Sequence, residues 1–207
     1  MPENSAVPPD ALVFIVDDDI SVRESVEELI QFQGWHALTC ASAEEFLSQA
    51  IPDVPSCLVL DISLPDLTGL DLQDRISADR SEMPIIFITG YGDVPTSVRA
   101  MKAGAVEFLT KPFSDDVLIS AVRQAIGHSA AALADRASLQ DIKDCFNSLS
   151  RREREVMALV VVGFLNKQIG FKLGISEITV KAHRGQVMRK MKAKSLPDLV
   201  NMSGRLR

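Results

Sequence analysis

Apolar and polar positions alternate with two different periods over the first 127 residues. Short, mostly apolar runs occupy 12–16, 35–39, 56–60, 83–88 and 105–109. Runs of this length with polar residues on either side read as strands, mostly buried on both faces. Between them lie amphipathic segments at roughly 21–33, 42–50, 69–79, 93–103 and 114–127. In the first, Val22, Val26, Leu29, Ile30 and Gln33 trace one helical face and the acids trace another. Ser42 and Ser114 stand where helix N-caps belong, and Asp115 and Asp116 favour the positive end of the last helix. Five such repeats, joined by right-handed crossovers, predict a five-stranded parallel sheet covered by helices.

The pattern changes after Gly127. Residues 128–147 are Ala-rich and polar, without Pro or Gly, and carry a thin apolar stripe of Leu133, Ala137, Leu139 or Gln140, and Ile142. They read as a helical linker. From 148 to 207 the pattern is all-helical. The expected organisation is a tail (1–10), an α/β domain (11–127), the linker (128–147) and a four-helix domain (148–207).

Strands of an open parallel sheet deliver their carboxyl ends to one edge, where ligands bind. Asp17, Asp18, Asp61, Thr89 and Lys111 each follow or end an apolar run, so the topology gathers them there. Two carboxylates about 4 Å apart repel by about 4 kcal/mol at an effective dielectric near 20. A magnesium ion relieves this by taking one or two carboxylate oxygens and keeping water and phosphate oxygens as its other ligands. Lys111 supplies a movable positive charge for a phosphoryl group. The bond from Lys111 to Pro112 is open to the cis form.

In the second half, Ser150 and Glu153 have capping-box spacing before a helix of about 151–163. A short helix at 167–173 opens at Asn166, and Gly174 can take positive φ in the turn that follows. Ser176 caps a long helix from Glu177 to Lys192, and Ser195 caps a last one through about Ser203. A short helix, a glycine turn and a long basic helix make a helix-turn-helix. On the long helix, Val180, Arg184, Val187 and Met191 share the inner face, with His183 at its shoulder. Ile178, Ala182, Gly185 and Arg189, flanked by Lys181 and Gln186, form the face that would read bases. Lys167, Thr179, Lys181, Lys190, Lys192 and Lys194 are candidates for phosphate contacts, which position a protein without specifying sequence.

Charge follows the same division. Residues 1–127 hold 21 Asp and Glu against 7 Lys and Arg, a net of −14, whereas 128–207 hold 7 against 15, a net of +8. An acidic module joined to one that meets a polyanion is the expected reading. Cys40, Cys57 and Cys145 lack metal or disulfide spacing and suit a reducing compartment, so a cytoplasmic location is expected. No basic leader opens the chain and no apolar run approaches the roughly 20 residues of a membrane span, so no membrane partner is expected.

Residues 12–127, with Asp17-Asp18, Leu60-Asp61, Pro65, Gly69, Thr89 and Lys111-Pro112, resemble the receiver domain of bacterial two-component response regulators, a flavodoxin-like (CheY-like) fold. Leu149 to Val156, Asn166-Lys167-Gln168-Ile169 and Thr179 to Arg184 resemble the LuxR-type output domain. Together they resemble the NarL/FixJ family, closest to its FixJ branch. The resemblance implies a transcription regulator whose Asp61 accepts a phosphoryl group from a sensor histidine kinase. It implies Mg²⁺ (or Mn²⁺) on Asp18, Asp61 and the Ser63 backbone carbonyl, with Asp17 acting through water. Thr89 would bind the phosphate, and Phe108 would turn inward. Phosphorylation would promote homodimerisation through the Tyr91–Phe108 surface and binding to double-stranded promoter DNA, with RNA polymerase as a further partner. No enzymatic activity is expected beyond phosphotransfer to, and dephosphorylation of, Asp61.

Some positions depart from the family pattern. Ile62-Ser63-Leu64 replaces the basic residue and Met common before the proline, and leaves the metal ligands intact. In relatives the positions matching Lys181, Ala182 and Gly185 face bases. Gly185 offers no side chain, and Gly170 replaces a better helix former; both leave the target sequence open. Two rival readings are a Mg²⁺-dependent phosphatase using Asp17 and Asp19, and a regulator whose receiver no longer accepts phosphate.

Overall fold

The structure, a computed structural model, describes residues 10–79, 83–90 and 92–206. Apart from Asp10, the expected tail lies outside the described residues, as does Tyr91 of the expected partner surface. Five parallel strands, β1 (Leu12–Val16), β2 (His36–Cys40), β3 (Ser56–Asp61), β4 (Ile85–Thr89) and β5 (Glu107–Thr110), form one sheet in the order β2-β1-β3-β4-β5. Helices α1 (Ile20–Phe32), α2 (Ala43–Ser48), α3 (Gly69–Asp79) and α4 (Val94–Lys102) connect them, and α5 (Asp115–Asn147) follows β5.

Strand alternation sends side chains to two separate cores. Val13, Ile15, Cys57, Val59, Ile86 and Ile88 pack with Val26 and Ile30 of α1 and with Leu118, Val122 and Ile126 of α5. Their neighbours Phe14, Val16, Leu58, Leu60, Ile85 and Phe87 pack with Phe46, Leu72, Ile76 and Ala100 of α2, α3 and α4. The near-continuous apolar runs follow from burial on both sides. Trp35, Met83 and Ala105 are buried but precede the first ladder residues, so β2, β4 and β5 start one or two residues later than the runs suggest. Burial of the starting edge is completed by Ser129 of α5, whose hydroxyl accepts from the Ser56 N–H at 3.0 Å.

Residues 128–147 are the second part of α5. Ala134 to Ser138 are all exposed, while Ile142 enters a third core with Leu149, Val156, Ile169, Val180, Val187 and Leu199. The chain divides into two compact units at residues 134 and 135. One 18-residue stretch of α5 has a mean hydropathy of 1.3, long and apolar enough for a membrane span. The stretch is interrupted by Arg123, Gln124 and His128, so it is not an uninterrupted apolar run. Its residues Leu118, Ala121, Val122, Ala125 and Ile126 are packed in the α/β core.

The second unit contains α6 (Arg151–Val161), α7 (Asn166–Leu173), α8 (Glu177–Lys190) and α9 (Leu196–Arg205). The Ser150–Glu153 capping box is formed. Gly174 ends α7 at φ 66°, in the left-handed region that glycine enters without penalty. Gly170 has a packing reason: a Cβ there would stand 2.7 Å from the Ile175 carbonyl oxygen. Its lack of a side chain lets α7 lie against the turn. Helix α8 stops two residues earlier than its polarity pattern suggests, because Lys192 takes φ 55°. The Ala193 N–H then donates to the Met188 carbonyl, closing the end as a Schellman-type turn.

Candidate functional site

Side chains separated by nearly one hundred residues meet at the carboxyl edge of the first unit's sheet. Asp17 directly follows β1 and is fully buried, while Asp61 ends β3 with 4% exposure. The Lys111 ammonium, just past β5, donates to Asp17 Oδ2 at 2.6 Å and to Asp61 Oδ1 at 3.3 Å. Exposed Asp18 brings a third carboxylate, so that one oxygen from each of the three acids lies within 4.8 Å of the others. Asp17, Asp18 and Asp61 thus fit a hard divalent cation, which takes oxygen ligands and relieves their repulsion.

The electrostatics are unbalanced by design of the fold. Burial holds the Asp61 carboxyl above the ordinary aspartate range; Lys111 pulls it down and Asp17 pushes it up. Burial alone would lower the Lys111 value, but the hydrogen bond and charge of Asp17, then of Asp61, hold it above the ordinary lysine value. The ammonium therefore stays charged at neutral pH.

The loops around these groups are fixed by contacts that sequence reading did not supply. The Ser63 N–H donates to Asp61 Oδ2 at 3.0 Å, which holds the carboxylate against its own loop. Gly69 leaves no room for a Cβ, which would stand 2.5 Å from the Asp61 carbonyl oxygen. Asp66 reaches across to the start of α2 and accepts from the Ala43 and Glu44 N–H groups. The Arg23 guanidinium donates to the Asp17 carbonyl at 2.6 Å. Asp19 caps α1 by accepting from the Ser21 N–H at 2.9 Å, so its carboxylate is committed away from the Asp17 pairing that a phosphatase would use. An acid immediately before an apolar helical stripe was the available signal for that cap.

Thr89 ends β4, is fully buried, and pairs in register with Thr110. The Lys111 N–H donates to its carbonyl at 2.7 Å. The Lys111–Pro112 bond is cis. Half-buried Phe108 on β5 lies 6.5 Å, centroid to centroid, from Phe87. Gly92 is pressed against this pair of strands: a Cβ there would meet the Thr110 methyl at 2.5 Å and the Phe108 ring at 3.3 Å.

In the second unit, Lys181, Ala182, Gly185 and Arg189 of α8 are exposed, as is Lys167 of α7. Gln186 is half-buried and its carbonyl accepts from Arg189. Thr179 is half-buried, and its N–H donates to the capping Ser176 hydroxyl. Lys190, expected as a phosphate contact, is committed within the domain. It donates to Glu153 at 2.7 Å and to the Ser148 carbonyl at 3.2 Å, which joins α8 to the start of α6. Arg184 similarly reaches Asn166 at 3.1 Å.

Residues 13–123 match the response regulator receiver domain family, and 147–203 match the bacterial regulatory proteins of the luxR family. The chain belongs to the response regulators. It couples a receiver to a LuxR-type DNA-binding domain. Nodulation protein W of Bradyrhizobium diazoefficiens is 49% identical over 93% of this response regulator and 85% of that protein. The transcriptional regulatory protein FixJ of Rhizobium meliloti is 47% identical over 94% of this chain and 95% of its own. Among solved structures, the response regulator StyR matches with a TM-score of 0.85 and 41% identity over 95% of this chain and 99% of that one.

Proposed function

We propose that phosphorylation of Asp61 by a sensor histidine kinase switches how this cytoplasmic regulator engages promoter DNA. One observation carries the proposal: a buried carboxylate at the tip of β3 is held uncomfortably charged, 3.3 Å from an ammonium and beside two further acids. Such a group is set to lose its charge to an electrophile. An Asp61 oxygen attacks the phosphorus of a phosphohistidine. The new O–P bond forms as the N–P bond breaks, and the imidazole nitrogen leaves with the electron pair. Lys111, kept protonated, neutralises phosphoryl oxygens. Asp18, Asp61 and the Ser63 carbonyl, with Asp17 through water, would hold Mg²⁺ or Mn²⁺. Bound there, the cation supplies positive charge opposite the phosphoryl oxygens. The groove of about 370 Å³ lined by Ser21, Val22, Ser25, Pro112 and Phe113 adjoins Lys111 and offers the kinase a docking surface.

The phosphoryl group adds about −1.5 to −2 charges and strong acceptors. Thr89 donates to it, its loop moves, and Phe108 turns inward. That movement repacks the surface from 92 to 108, where Val94, Val98 and Met101 are already exposed apolar side chains suited to a second copy. Dimerisation sets two α8 helices in successive major grooves about 34 Å apart. Ala182, Gly185, Gln186 and Arg189 face the bases, while Lys167, Thr179 and Lys181 position the backbone. A full switch from 1:99 to 99:1 requires about 5.5 kcal/mol of differential binding. RNA polymerase is the further partner of the bound dimer. Mass spectrometry after acetyl phosphate and Mg²⁺ tests the chemistry: a labile adduct on Asp61, lost in Asp61→Asn, is expected. An adduct elsewhere, or none, overturns it.

A further inference from the structure

The outward face of α8 carries an unusual strip. Ile178, Ala182 and Gly185 stand at i, i+4 and i+7, within about 60° of one another around the helix. All three are exposed, and Ile178 is 82% exposed although it is one of the larger apolar residues of the domain. Nothing stands within 4 Å of the place where a Gly185 Cβ would be, so that end of the strip is open to close approach. None of the three side chains can donate or accept a hydrogen bond. The groups that can, Gln186 and Arg189, are already joined to each other nearer the carboxyl end of the helix.

An exposed isoleucine alone needs no explanation. Residues 128–207, which include this one, hold 15 basic residues against 7 acidic, and Lys181 stands beside it on the helix. Charge complementarity therefore selects a nucleic-acid duplex as the occupant of this face. In the major groove the only apolar group on a base edge is the thymine C5 methyl. From Ile178 to Gly185 the helix advances about 10.5 Å, the rise of about three base pairs. We propose that the Ile178–Ala182–Gly185 strip reads thymine methyl groups, with Ile178 as the specificity-determining residue, and that the hydrogen-bonding part of the readout is confined to Gln186 and Arg189. The inference rests on the reading of α8 as the helix that enters the groove, and it adds what that helix selects: A·T pairs presented as methyls, not as hydrogen-bonding edges.

The test uses the full chain treated with acetyl phosphate and Mg²⁺, and a pool of random-sequence duplexes from which bound members are selected. Selected duplexes are then resynthesised with uracil in place of thymine, which removes the methyl and keeps every hydrogen-bonding group. The expected result is a run of thymines within the half-site and a loss of about four-fold in affinity per contacted methyl, the weight of one buried methyl group. Ile178→Ala, a substitution at an exposed helical position, should bind thymine and uracil duplexes alike at the position Ile178 faces. Lys181→Ala should weaken both duplexes equally. If the wild-type chain binds uracil duplexes as tightly as thymine duplexes while Lys181→Ala still weakens binding, the methyl strip is wrong and α8 remains the DNA helix. If the wild-type chain shows no salt-sensitive binding to any duplex, the DNA reading of α8 fails and the strip falls with it.

Discussion

The two domains each bury a carboxylate next to a lysine, and they treat it in opposite ways. In the receiver, Asp61 is raised above the ordinary aspartate range because burial and Asp17 outweigh the pull of Lys111. In the DNA-binding domain, Glu153 is lowered, first by the hydrogen bond from Lys190 and then by the Ser150 N–H. Glu153 has its partners within one capping box and one ion pair, all satisfied. Asp61 shares a single ammonium with Asp17, which takes the shorter bond. A buried acid held down is part of the architecture; a buried acid held up is waiting for a cation or an electrophile.

Removing the shared ammonium should have the largest effect on stability. Lys111→Met leaves Asp17 and Asp61 without their counter-charge and should cost about 3 kcal/mol in urea unfolding without divalent metal, the low end for a broken buried pair because water reaches the lysine. Next comes Gly170→Ala, which tests packing in the second domain. Alanine gains up to about 1 kcal/mol of helix propensity, yet its methyl is driven into the Ile175 carbonyl, so a net loss of about 1–2 kcal/mol is expected from the same measurement. A gain would show that the turn yields easily.

Glu153→Gln should cost about 1 kcal/mol, because the cap can persist while the charged bond to Lys190 is lost. Its pH dependence gives the contrast its sharpest form. The folded value of Glu153 lies below its unfolded one, so its contribution is present above the ordinary glutamate range and disappears as pH falls through the folded value. The folded value of Asp61 lies above its unfolded one, so the folded state holds its proton longer and stability falls as pH rises through that window. Thermal unfolding in metal-free buffer should therefore show Asp61→Asn melting above wild type at neutral pH, with the difference vanishing in acid. Glu153→Gln should melt below wild type at neutral pH and converge with it in acid. Parallel behaviour of the two would erase the distinction.

The receiver fold and the place of its site were legible because strands buried on both faces leave strong apolar runs, and because parallel topology sends every strand end to one edge. Asp17, Asp18, Asp61 and Lys111 could be gathered on that ground alone. The capping box at Ser150 and the positive φ of Gly174 were legible from local chemistry. Contacts that depend on tertiary approach were not. Lys190 carries the same signal as any lysine on a basic helix, and only the packing of α8 on α6 brings it to Glu153. Gly170 looked like a poor helix residue until the turn was seen to lie against it. Asp66, 22 residues from the α2 backbone it caps, leaves no trace in local sequence.

The coupling between the two domains is tested most directly by measuring the affinity of the full chain for selected duplex DNA with and without acetyl phosphate and Mg²⁺, in wild type and Asp61→Asn. Tighter binding of the phosphorylated wild type, with Asp61→Asn indifferent to the phosphoryl donor, is the predicted result. Equal affinity of wild type in both conditions, with the Asp61 adduct verified, would contradict a switch seated at Asp61.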